Sequence, residues 1–202
     1  MEKTKEDGCM EFEVKLAGMS REGLIAFLKD REIEAAMAEP VREIPMETTY
    51  YDVPDGSLGA KKWTLRRRME GGTPVVTLKT PSSVKGCRNE WETECDEVLT
   101  GIPKLIAMGA PAELSNVTEV VPVCGAKFLR RAVLLSLEGC TAELALDEGI
   151  LFRCGREAEL RELELELKDG EPAAMLALAD RLCRDYGLFE EKKSKFYRAS
   201  LL

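Results

Sequence analysis

Apolar and charged residues alternate without a break over Met10-Glu11-Phe12-Glu13-Val14-Lys15-Leu16, so a strand there has one apolar face and one charged face. The same period of two predicts strands over 42–53, 64–69, 75–80, 87–96, 119–137, 141–152 and 158–168. Turn residues separate them: Pro54-Asp55-Gly56, Glu70-Gly71-Gly72, the 81–86 loop, Gly139 and Cys154-Gly155. Pro122 falls near the start of the sixth run, where an edge or a bulge tolerates a residue without an N–H. Helical spacing is sparser. Ser20 caps a helix carrying Leu24, Ile25, Phe27 and Leu28, a pattern that fades between Asp30 and Glu34. Ile102 to Met108 reads as a short helix entered at Pro103 and stopped at Gly109. Pro172 opens a helix to about Tyr186, and a short segment over 194–199 closes the chain. With no linker, repeat or low-complexity tract, residues 1–202 read as one domain, 1–8 being a flexible N-terminal segment.

Sorting each strand into its two faces gathers the charges into rows. The first strand shows Glu11, Glu13 and Lys15, the third Arg66 and Arg68, the fourth Thr77 and Lys79, and the fifth Arg88, Glu90, Glu92 and Glu94. Glu143 and Asp147 share a face of the seventh; Glu162, Glu164, Glu166 and Lys168 share one of the eighth, backed by Leu163, Leu165 and Leu167. A single strand of this kind is an ordinary amphipathic strand with its polar face in water. For the set, magnitude argues otherwise. Two glutamates at i and i+2 lie about 6.7 Å apart and repel by roughly 2.5 kcal/mol at an effective dielectric of about 20. Such rows are a standing cost unless cations lie between them. Many strands of this pattern can close into a barrel whose apolar face lies outside under helices and whose charged face lines a hydrated bore.

Composition then narrows the chemistry. Lys and Arg number 29 against 37 Asp and Glu, a formal charge of −8, so no global field gathers nucleic acid or an anionic membrane surface. Histidine is absent, which excludes Ser-His-Asp and Cys-His nucleophile systems and every His-ligated metal site. Seven cysteines with no CxxC spacing predict reduced thiols in the cytoplasm, and no apolar run approaches the ~20 residues of a membrane span. Carboxylate oxygens without His or paired Cys favour Mg²⁺ or Mn²⁺ over zinc, while Arg and Lys suit phosphate oxygens. A hard cation beside an oxyanion fits a linear polyphosphate or its ester, and metal-assisted phosphoryl transfer to water.

Taken in order, Glu11-x-Glu13-x-Lys15, Tyr50-Tyr51-Asp52-Val53-Pro54-Asp55, Leu65-Arg66-Arg67-Arg68, Thr77-Leu78-Lys79, Arg88-x-Glu90-x-Glu92, Glu143 to Gly149, Glu162 to Lys168 and Ser194-Lys195 resemble the CYTH family of triphosphate tunnel metalloenzymes from end to end. The resemblance implies an α+β fold, a closed eight-stranded antiparallel β-barrel with helices packed outside. It makes Glu11, Glu13, Glu162 and Glu164 the principal metal ligands, with Glu166 near them, and Arg66, Arg68, Lys79, Arg88 and Lys195 the triphosphate contacts. Lys15 then faces the scissile phosphate or its attacking water, and Glu90, Glu92, Glu143 and Asp147 lie in the tunnel, some reaching a second metal or that water. Arg130 is the choice for a further basic contact, with Arg131 beside it in sequence.

The implied cofactor is Mg²⁺ or Mn²⁺ and the implied partner a small-molecule triphosphate, for a monomer or homodimer with no nucleic-acid or membrane partner. Cyclase-type members carry Gly-x-Phe-x-Glu after the Asp matching Asp147, whereas this chain runs Glu148-Gly149-Ile150-Leu151-Phe152 and is similar to the hydrolase branch. The resemblance therefore implies a triphosphatase acting on inorganic tripolyphosphate, thiamine triphosphate or a nucleotide. A class IV-type adenylate cyclase and a non-catalytic polyphosphate-binding module are the alternatives. Trp63 could stack on an organic moiety, though a strand-end Trp more often packs.

Overall fold

Every run of period-two alternation becomes a strand in the computed structural model, which describes residues 9–20, 22–23, 27–84 and 87–202. The strands are β1 (Cys9–Ala17), β2 (Arg42–Asp52), β3 (Thr64–Glu70), β4 (Thr73–Pro81), β5 (Cys87–Glu94), β6 (Val121–Leu137), β7 (Cys140–Arg153) and β8 (Arg156–Gly170). They hydrogen-bond in the order β5-β4-β3-β2-β6-β7-β8-β1, and β1 pairs with β5 to close the ring. All pairings are antiparallel, so the result is the closed eight-stranded barrel that the motifs imply. The β3–β4 hairpin turns on Gly71 and Gly72, whose φ of 57° and 99° give the doubly left-handed turn that matches strand twist. Pro122 sits opposite Tyr51 beside a register shift, the bulge that its missing N–H requires. One pairing was not legible: β9 (Phe189–Glu190) adds to the end of β1.

The helices are α1 (Arg31–Ala36), α2 (Ser57–Ala60), α3 (Val98–Ala107), α4 (Ala173–Tyr186) and α5 (Lys195–Ser200), with a 3₁₀ turn over Ala112–Asn116. The helix expected after Ser20 falls partly on residues outside those described, as do the N-terminal segment 1–8 and part of the 81–86 loop. Two helical expectations are corrected. Where helical spacing fades after Asp30, α1 forms instead, because the Asp30 carboxylate caps it by accepting from the N–H groups of Glu32 and Ile33 at 3.0 and 3.1 Å. Helix α3 starts at Val98, not near Ile102, and holds Pro103 inside it. Val98, Ile102 and Leu105 form one buried stripe that outweighs the proline, and Gly101 lets the helix lie against Val76.

Three apolar clusters hold these parts together. Outside the barrel, Leu144, Leu146, Leu163 and Leu165 pack under α4 through Met175, Leu178 and Leu182. Around the wall, Leu65, Val76, Leu78 and Trp91 pack under α3 and the 3₁₀ turn, with Trp63 among them as a packing residue. Each fully buried Leu contributes about 1.5–3 kcal/mol. The third cluster joins Met46, Tyr50, Phe128 and Leu160 to Ala199 and Phe196 of α5. By strand alternation these four face inward, so α5 stops one end of the bore with an apolar plug. Gly149 makes the room: a Cβ there would lie 2.1 Å from the Lys127 carbonyl oxygen and 2.5 Å from Phe128 Cα.

Candidate active site

Strand pleating aims one row of each strand into the barrel, where a cavity of about 290 Å³ opens. Fourteen of the sixteen residues named from sequence line it: Glu11, Glu13, Lys15, Arg66, Arg68, Lys79, Arg88, Glu90, Glu92, Arg130, Glu143, Glu164, Glu166 and Lys195. Asp147 and Glu162 do not. Their side chains have no exposed surface and lie beneath the cavity, under Lys195 and Arg130. Arg131 points away, pairing with Glu43 at 2.9 Å and Glu148 at 3.5 Å, so Arg130 is the one of the two that faces the bore.

The carboxylates are not left facing one another. Glu13 lies directly across from Glu166, and Glu166 from Glu143, on adjacent strands. Yet Lys15 Nζ donates to Glu13 at 2.6 Å, Lys168 pairs with Glu166 at 2.8 Å, and Arg42 donates to Glu143 at 2.9 Å. Lys79 reaches Glu11 at 2.5 Å and Glu90 at 3.3 Å, the latter also bonded by Arg66 at 3.3 Å. Deeper, Arg130 forks onto Asp147 at 2.8 and 2.7 Å and bonds Glu164 at 2.5 Å. Lys195 Nζ lies 2.7 Å from Asp147 and 2.9 Å from Glu164 and also bonds Glu162, which Arg198 holds from its other side. Asp147, Glu162 and Glu164 bring carboxylate oxygens within 4.8 Å of one another, and the Lys195 ammonium bonds all three.

This pairing sets protonation. Burial works against the Lys195 charge, but Asp147, Glu162 and Glu164 outweigh it and hold the ammonium well above its ordinary pKa. Lys15 follows the same balance: burial pulls its pKa down, Glu13 and Glu164 push it further up, and it remains a cation. Burial also pushes Glu164 up, but Lys195, Arg130 and Lys15 carry it well below the usual carboxylate range. For Glu162 and Glu166, burial prevails and shifts both upward.

Two guanidiniums are treated differently. Among the described carboxylates, Arg68 pairs with Glu70 at 3.8 Å, and burial together with Arg66 and Arg130 lowers its pKa to about 10. Arg88 Nη2 donates to the carbonyls of Lys62 and Lys79 at 2.9 and 3.2 Å, not to a carboxylate. The Nε atoms of Arg66, Arg68 and Arg88 are all buried without a hydrogen-bond partner among the described residues. Sequence reasoning missed Arg198, although Lys195 and Arg198 stand at helical i, i+3 spacing and so share a face. It also gave no site role to Lys168, which continues the Glu162-Glu164-Glu166 row.

An antiparallel barrel with an inward, mixed-charge bore defines a tunnel-type domain. The chain belongs to the CYTH domain family, whose model matches residues 10–200. It is similar to an inorganic triphosphatase of Haemophilus influenzae, 28% identical over 157 residues, covering 76% of this chain. The match spans 45% of that relative, so the chain covers less than half of its length. Among solved structures, a Hippeastrum protein proposed as an adenylyl cyclase and described as having a dominant triphosphatase activity matches with TM-score 0.60 and 19% identity. That match covers 94% of this chain and 95% of the other. A Pyrococcus horikoshii protein matches with TM-score 0.58 and 20% identity over 93% and 97% of the two chains. These two likenesses bear on the fold. No described helix is long and apolar enough to cross a membrane.

Proposed function

We propose that the bore removes the terminal phosphate from a triphosphate with the help of Mg²⁺ or Mn²⁺. One observation carries this reading: the buried Nε donors of Arg66, Arg68 and Arg88 have no acceptor among the described residues, although carboxylates crowd the same cavity. Guanidinium side chains lining a polar cavity suit the oxygens of a phosphate chain, which accepts from such forks in parallel. The donor set also suits a hard cation, since Glu11, Glu13, Glu164 and Glu166 offer only carboxylate oxygen and all face the cavity. Those four would hold the ion, whose charge would offset that developing on the phosphate oxygens.

The chain's own residues do the rest. Arg66, Arg68 and Arg88 bind and align the phosphate chain. Lys15, kept cationic by Glu13 and Glu164, neutralises the terminal phosphate and does not take a proton. Glu90 and Glu92, which line the cavity from β5, orient the attacking water in this reading. Asp147 and Glu162 act beneath the wall, fixing Lys195 and Arg130 so that both charges face inward. The inorganic triphosphatase relative supports hydrolysis, and the largely charged lining favours inorganic tripolyphosphate over a triphosphate with a bulky organic group. The same reading has residues 1–202 acting as one cytoplasmic domain, monomeric or homodimeric.

The test is phosphate release from tripolyphosphate, thiamine triphosphate, ATP and pyrophosphate, with Mg²⁺, Mn²⁺ or chelator. Metal-dependent orthophosphate, fastest from tripolyphosphate, is expected. Cyclic AMP and pyrophosphate from ATP would assign a cyclase instead, and tight binding without turnover in either metal would assign a binding module.

A further inference from the structure

Asp52 ends β2 where the chain leaves the barrel, and it is buried. Its carboxylate faces backbone donors: Oδ1 accepts from the N–H groups of Val53 at 2.8 Å and Leu58 at 3.1 Å, and Oδ2 from Gly59 at 3.0 Å. Three such bonds determine the path of the connection from 53 to 59. Helix α2 is the single turn so fixed, and it closes with Lys62 N–H on the Gly59 carbonyl and Trp63 N–H on the Leu58 carbonyl, each at 2.9 Å. Lys62 takes the left-handed conformation, φ 59°, which a side chain adopts only at a cost. Gly59 is required for the close approach, since a Cβ there would lie 2.8 Å from Asp52 Oδ2.

The end of this turn meets the bore. The Lys62 carbonyl accepts from Arg88 Nη2 at 2.9 Å, and Arg88 lines the cavity with its Nε buried and unpartnered among the described residues. A guanidinium steered by carbonyl oxygens is oriented without being neutralised, so its charge stays available to an incoming anion. We propose that Asp52 is a positioning residue for anion binding: by fixing the 53–62 turn it sets the Lys62 carbonyl, and through it the angle at which Arg88 faces the phosphate chain. The inference rests on the reading of the bore as a triphosphate site.

The experiment is calorimetric titration of tripolyphosphate into the full chain with chelator present, for wild type, Asp52→Asn, Arg88→Ala and the double variant, with thermal midpoints measured alongside. Loss of the charged contact in Arg88→Ala should weaken binding roughly 10- to 100-fold. Asp52→Asn should weaken it by about tenfold, and the double variant should bind no more weakly than Arg88→Ala alone. The thermal midpoint should fall with Asp52→Asn in both backgrounds, separating the structural effect from the one transmitted through Arg88. If Asp52→Asn does not fold, Gly59→Ala disturbs the same contact with all charges kept, and its affinity loss should likewise vanish in the Arg88→Ala background. Unchanged affinity in Asp52→Asn or Gly59→Ala, or losses that multiply in a double variant, would overturn the inference alone. A wild-type chain that binds no tripolyphosphate would overturn the site reading and the inference together.

Discussion

On the wall formed by β1, β7 and β8, each described inward carboxylate has a cation against it: Lys79 on Glu11, Lys15 on Glu13, Arg42 on Glu143, Lys168 on Glu166, and Lys195 with Arg130 or Arg198 on Asp147, Glu162 and Glu164. On the wall formed by β3, β4 and β5, Arg66 and Lys79 share Glu90, Arg68 has a long contact to Glu70 at 3.8 Å, and Arg88 donates to backbone carbonyls. The difference lies in where compensation comes from. Acidic rows are neutralised by the protein itself, so removing one member strands a buried charge. The guanidinium wall is compensated more sparsely from within, as the proposed anion site requires.

Substitutions on the two walls should therefore act with opposite sign. Glu164→Leu leaves Lys195 and Arg130 short of a partner in a buried setting and should cost about 3–5 kcal/mol in denaturant unfolding, besides abolishing metal-dependent turnover. Asp30, on the outer surface, supplies the reference for a pair with no ligand role. Arg181 holds its carboxyl well below the usual range, against burial and with help from the Tyr186 hydroxyl and the Ile33 N–H. A carboxyl depressed on folding contributes stability above its unfolded pKa of about 3.9, lost as pH falls through the folded value. Asp30→Asn should thus cost about 2 kcal/mol at pH 7, and its gap from wild type should close progressively below about pH 4.

Arg68→Met reverses the sign. Relieved of a cation that burial, Arg66 and Arg130 all disfavour, the ligand-free chain should gain about 1 kcal/mol, while tripolyphosphate binding weakens at least tenfold. A destabilised Arg68→Met would show that this wall too is fully compensated from within. Lys62→Gly should give the smallest effect, a gain of about 0.5–1 kcal/mol in thermal unfolding from relief of its left-handed backbone.

The barrel was legible because its eight strands share one signal, a period of two with charge on one face and Leu, Val or Phe on the other. The charged rows also announced that cations must lie among the carboxylates. What a one-dimensional pattern could not show is that many of those cations are side chains. Lys79 and Glu11 meet across 68 positions of sequence, and only the β1–β5–β4 register brings them together. The choice between Arg130 and Arg131 depends on the same kind of information, the pairing of Arg130 with Asp147 across β6 and β7. Depth is equally invisible in sequence: Glu162 and Glu164 share a face, yet the apolar plug and Arg198 bury the first and leave the second on the cavity wall. Pro103 misled in the other direction, because a strong local signal for a helix start lost to the spacing of Val98, Ile102 and Leu105.

The most direct measurement is a crystal structure of the full chain with tripolyphosphate and Mn²⁺, using the anomalous signal to locate the metal. The phosphate chain should lie along Arg66, Arg68 and Arg88, with manganese on the carboxylates of β1 and β8. Tripolyphosphate bound outside the barrel, or a bore that stays free of phosphate at saturating concentration, would contradict the account.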